Sequence, residues 1–108
     1  MSEICVILTT VDTLDKGKEL ARYLVESKLA ACVSMVPGVE SIYFWEGEVQ
    51  DEKEWLLIIK TIRKKIPAIR EAFNQYHLYR VPELIVIRSD YTGPAYADWL
   101  FQYVNSGD

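Results

Sequence analysis

From Val49 to Thr61 the chain runs thirteen residues without a proline or a glycine. Upstream, Leu29 to Trp45 is a second extended-type run, and Trp45-Glu46-Gly47-Glu48 is the tight corner joining the two. At roughly 3.3 Å per residue the outgoing strand reaches about 40 Å. A compact domain of about 100 residues has a radius of gyration of roughly 13 Å. A ribbon of that length projects from its own domain and needs another chain to cover it. The sequence therefore points to an oligomer before it points to any chemistry.

The chain has 108 residues, enough for one domain with a hydrophobic core and no staples. Its formal net charge is −4, an acidic balance that argues against a nucleic-acid binder and leaves cation binding open. Cys5 and Cys32 form no Cys-x-x-Cys pair and read as small buried side chains. Met1-Ser2-Glu3 leads straight into an apolar run, with no leader pattern. No stretch approaches the 18 or so apolar residues of a membrane span. The expected location is the cytosol, where a disulfide is disfavoured.

Ile4 to Val11 reads as a first strand with both parities apolar, and so buried on both faces. Asp12 or Thr13 offers the cap of a first helix that runs to about Ser27. Leu20, Ala21, Leu24 and Val25 form its inner stripe. Ala30 to Val36 is a second strand, broken or bulged at Pro37-Gly38 and extended again from Val39 to Trp45. The third strand, Val49 to Thr61, is polar in its first half and apolar on both parities in its second. Lys64 to Tyr76 is a second helix, with Pro67 tolerated in its first turn. Leu84 to Ser89 is a fourth strand, again apolar on both parities, and Ala95 to Val104 is a third helix.

The first six elements follow the βαββαβ order of a ferredoxin-like α+β fold, here with a long hairpin and an added C-terminal helix, in one domain spanning 1–108. That topology puts the first strand between the third and fourth, with the second at an edge. Both helices of the unit cover one face of the sheet. The apolar second face needs a further cover, and a single terminal helix is too small. This is a second argument for an oligomer, independent of ribbon length.

Leu29-Ala30-Ala31-Cys32-Val33, Pro37-Gly38, Tyr43-Phe44-Trp45-Glu46-Gly47, Ile59-Lys60-Thr61 and Val81-Pro82-Glu83-Leu84 occur in the order and at the spacing of the CutA family. The resemblance to these divalent-cation-tolerance proteins covers about Ile4 to Leu100. It implies a homotrimer with inward-facing sheets, hairpins that reach onto neighbours, and a likeness to PII-type signalling trimers. It implies a link to copper or another divalent cation and prescribes no reaction. It also implies that Trp45, Glu54, Lys60, Tyr79 and Glu83 line a cleft between subunits. Within one strand Glu54 and Lys60 are six residues, roughly 20 Å, apart, so they meet partners only across a subunit boundary.

His77 is the only histidine and the candidate metal ligand. The family's usual His-Pro-Tyr reads His77-Leu78-Tyr79 here, and Thr9 and Tyr76 stand where copper-linked relatives carry Cys and His. The competing reading of His77 is a loop imidazole hydrogen-bonded to a neighbour. The competing reading of the cleft set is interface ion pairs and hydrogen bonds without a ligand. Trp45 reads as an anchor on a neighbour, and Trp55 and Trp99 as core. The Glu46, Glu48, Asp51 and Glu52 cluster and the Arg63-Lys64-Lys65 run read as solvated.

A divalent-cation (copper) response trimer that binds or signals is the leading function. A PII-like small-molecule trimer or a structural partner protein is the alternative. Enzymatic, RNA-binding and copper-chaperone readings each lack a signature. Thr9-Thr10-Val11-Asp12 has no phosphate-cradling Gly or Arg, Leu8, Leu56 and Ile58 stand where stacking rings are needed, and Cys-x-x-Cys is absent.

Overall fold

The computed structural model describes residues 3–77 and 79–106. Its elements are β1 (Ile4–Val11), α1 (Leu14–Glu26), β2 (Cys32–Trp45), β3 (Glu48–Ile62), α2 (Ile66–Tyr76), β4 (Ile85–Arg88) and α3 (Pro94–Asn105). A 3₁₀ turn, Arg63–Lys65, leads into α2. The strands form one antiparallel sheet in the order β2-β3-β1-β4, the ferredoxin-like arrangement. Cys5 and Cys32 lie on non-adjacent strands and are both free thiols, with Cys5 buried and Cys32 only half-buried.

Thr13 caps α1, its hydroxyl accepting from the Lys16 N–H at 3.2 Å. Leu20, Ala21 and Leu24 are buried, while Val25 lies half-buried at the margin of the stripe. Gly17 joins the buried face at a close approach: a Cβ there would meet Val11 Cγ2 at 3.1 Å and Met35 Sδ at 3.3 Å, so those side chains would have to give way. Leu20 and Leu24 join Ile7, Val11, Leu57, Ile59, Ile69 and Phe73 in the core between the helices and the odd-numbered side of β1.

The second strand is continuous. Pro37-Gly38 is absorbed as a register shift between Val36 and Val39 rather than as a break. At the tip, Glu46 (φ 49°) and Gly47 (φ 82°) both occupy positive φ, as a two-residue hairpin turn requires. The hairpin stretches the molecule to 44 × 27 × 21 Å with a radius of gyration of 14.4 Å. On its outer half Ile42, Phe44 and Val49 are each 72% exposed. Among the described residues no element covers them.

The second face of the sheet divides into three zones. Ile4 and Ile62, opposite each other in register, lie beneath α3, which packs through Leu100 and Val104. The middle is apolar and open to solvent: Val6, Leu8, Leu56 and Ile58 are only partly buried. Ile85 and Ile87 of β4 remain 51% and 48% exposed, so the fourth strand is not buried on both faces within one chain. The third zone, toward the hairpin, holds a cavity. Trp55 packs against the core as expected, but Trp99 does not. It is 47% exposed and its ring lies tilted against Tyr96, with centroids 5.3 Å apart, while Leu100 takes the buried position on α3. Among the described residues no helix is long and apolar enough to cross a membrane.

Candidate functional site

Even-numbered residues of β3 share a face with the even-numbered residues of β1 and, beyond the bulge, with the odd-numbered residues of β2. Alternation along a strand thus brings Thr10, Ser41, Tyr43, Trp45 and Glu54 to one side. The segment after α2 folds across the same place and adds Tyr79, Arg80, Val81 and Glu83. Together they line a cavity of about 790 Å³.

Glu54 is its most constrained group. The carboxylates at Asp51 and Glu52 are exposed, yet Glu54 is 5% exposed, at the point where the ribbon enters the domain. A buried carboxylate needs a donor. Tyr79 supplies it, its phenol donating to Glu54 Oε2 at 2.5 Å. Burial, followed by the hydrogen bond to Glu54 and its charge, drives the Tyr79 pKa far upward, so the phenol stays a donor. Glu83 is raised above the ordinary carboxylate range, first by lost hydration and then by the charge of Glu54. Two carboxylates thus compete within one partly dehydrated space. The Arg80 guanidinium lies over the Trp45 ring, 5.8 Å from its centroid.

His77 stands behind this cavity, not in it. The Tyr79 backbone N–H donates to His77 Nδ1 at 3.1 Å, and His77 Nε2 lies 2.8 Å from the buried Thr9 hydroxyl. Nδ1 is therefore an acceptor, and the proton sits on Nε2, which donates to Thr9. Burial lowers the imidazole pKa against the opposing pull of Glu54 and the Thr10 backbone. Both ring nitrogens are engaged, and a metal on either would displace a hydrogen bond. Among the described residues no group of three or more His, Cys, Asp or Glu converges on a point. Leu78, which replaces the family's usual proline, lies outside the described residues.

The linkage of His77 to stability has a definite sign. Its folded pKa lies below the unfolded value of 6.5, so the unfolded chain binds the proton first. Stability is expected to fall as pH drops from about 6.5 through the folded pKa. Urea melts between pH 8 and pH 5 of wild type and His77→Ala check this. The variant should lose that part of the slope, and an equal slope in both proteins would contradict the assignment.

The structure thus gathers Trp45, Glu54, Tyr79 and Glu83 around one cavity and leaves Lys60 apart. Lys60 Nζ donates to Ser34 Oγ and lies 3.7 Å from Cys32 Sγ, both on β2, and it does not line the cavity. Thr10, Ser41, Tyr43 and Arg80 were not anticipated. Strand register with Glu54 identifies the first three, whereas Arg80 lies on a loop with no period to read.

The CutA1 divalent ion tolerance protein family model matches residues 5–103. The chain is 45% identical over 95 residues to the chloroplastic protein CutA of Arabidopsis thaliana, covering 88% of this chain and 52% of that protein. It is 41% identical to the divalent-cation tolerance protein CutA of Thermus thermophilus, covering 88% of this chain and 92% of that one. The chain thus spans about half the length of the plant relative and nearly all of the bacterial one. The crystal structure of CutA1 from Oryza sativa superposes with a TM-score of 0.90 at 41% identity, over 94% of each chain. With the fold and nearly the whole length matched, the chain belongs to the CutA1 family of divalent ion tolerance proteins.

Proposed function

We propose that the protein is a homotrimer acting in divalent-cation response by binding rather than catalysis, with its ligand site at the cavity around Glu54. The observation that carries the reading is the second face of the sheet. Its apolar middle and the exposed hairpin are a surface that only further copies of the chain complete, and the cavity opens beside it. In that assembly Trp45, Glu54, Tyr79 and Glu83 come from one subunit, and Lys60 reaches the cleft from a neighbour. His77 holds the loop that aims Tyr79 at Glu54, a positioning role.

A cation such as copper enters this picture as ligand. One chain lines the cavity with Glu46, Glu54 and Glu83, which among the described residues do not converge on one point, so water or neighbouring copies complete its shell. Calorimetric titration of Cu²⁺ into wild type, Glu54→Gln and His77→Ala tests the reading. Loss of a charged partner is worth about 1.5–3 kcal/mol, so Glu54→Gln should weaken binding at least about tenfold. His77→Ala should bind nearly as wild type. Lost binding in His77→Ala with full binding in Glu54→Gln would overturn the reading and move the cation to the imidazole.

A further inference from the structure

The walls of the cavity say more about its ligand than the carboxylates alone. A bare divalent ion asks for several donors at one point, and among the described residues no such cluster exists. What the cavity offers is three carboxylates, Glu46 at the hairpin tip and Glu54 and Glu83 further in, beside the rings of Tyr43, Trp45 and Tyr79. Carboxylates with aromatic faces match a cation whose charge is spread over a carbon-bearing group. The cavity itself already shows this chemistry. Arg80, itself exposed, lays its guanidinium against Trp45 within the cavity wall. Its long side chain can leave that ring at small cost.

We infer that the cavity binds a small organic cation carrying a primary ammonium or guanidinium group, and that Arg80 occupies part of this position until the ligand displaces it. The inference rests on the preceding reading that the cavity is a ligand site, and names the class of ligand. In the bound state the cationic head pairs with Glu54 and Glu83, and its alkyl stem lies along Trp45 and Tyr43. Lost hydration first and the charge of Glu54 second raise the Glu83 pKa, and an arriving cation offsets both. A 790 Å³ space accepts a molecule of several heavy atoms, far more than a lone ion fills.

The test uses the intact assembly and four probes of one size: n-butylammonium, n-butylguanidinium, n-butanol and butyrate. Binding is followed by the indole N–H resonance of Trp45 in ¹H–¹⁵N spectra, assigned with Trp45→Phe. The two cations should shift that resonance saturably, while butanol and butyrate leave it in place. Arg80→Ala, an exposed truncation, should tighten the cations about fivefold by freeing the ring and removing a like charge. Glu83→Gln should weaken them about tenfold. Preferential binding of butyrate would overturn the inference, because a neighbour's positive charge would then set the sign of the site, and the cavity would stand as a ligand site. Weaker cation binding in Arg80→Ala would also overturn it. If no probe shifts Trp45 while Glu54→Gln abolishes Cu²⁺ binding, the organic-cation class fails alone. If both experiments are silent, the ligand-site reading fails with it.

Discussion

Leu57→Ala will cost about 3 kcal/mol of stability, from the 2–5 kcal/mol span of buried leucine truncations. Leu57 is fully buried on β3, opposite Thr9 of β1 and Met35 of β2. Its Cδ1 lies 3.5 Å from where a Cβ on Gly17 would stand, so it fills the space beneath the close approach of α1. Alanine leaves a void there that α1 cannot close, because Gly17 is already near Val11 and Met35. Urea denaturation at one fixed protein concentration reads the change, since assembly makes stability concentration-dependent. A loss below about 1 kcal/mol would mean that the core relaxes around the void and is less tightly packed than described.

Ile58→Asp is expected to dismantle the proposed trimer while sparing the subunit. Ile58 lies on the open middle of the second face, opposite Leu8 and Ser34, and is half-buried within one chain. In a single chain the carboxylate keeps access to water. In a trimer each copy would bury one unpaired charge, at several kcal/mol apiece. Multi-angle light scattering should show the mass falling from three chains to one, with far-ultraviolet dichroism retained. Lys18→Asp, on the exposed side of α1, should leave the mass unchanged. An Ile58→Asp protein that keeps its wild-type mass would place the interface elsewhere.

Much of this architecture was legible before any coordinates. β1 begins and ends where its β-branched run does, and Thr13 caps α1 as its hydroxyl and position suggest. The apolar second face followed from parity alone, because a strand with both parities apolar has two faces to cover. Periodicity failed at Trp99. Tyr96, Trp99, Leu100 and Tyr103 share a helical stripe, but α3 buries only Leu100 and Val104 against the sheet, and Trp99 falls at the margin of that contact, which composition does not reveal. At β4 the same parity argument leaves Ile85 and Ile87 without cover in one chain, on the face where a further cover was expected.

The site was legible to a lesser degree. The separation of Lys60 from Glu54 followed from strand rise. The hydrogen bond between Tyr79 and Glu54 did not, since it joins a loop to a strand 25 positions away. Loops carry no hydrophobic period, so the fold alone decides where Tyr79 and Arg80 arrive. The engagement of both His77 nitrogens was equally hidden, because Thr9 meets the ring across 68 positions of sequence.

All of this rests on neighbouring copies completing the apolar face and the ribbon. Sedimentation equilibrium of the wild-type protein at low micromolar concentration tests it most directly. A mass about three times the 12.5 kDa of one chain is the expected result. A stable species of single-chain mass, folded and soluble with its second face in water, would contradict it.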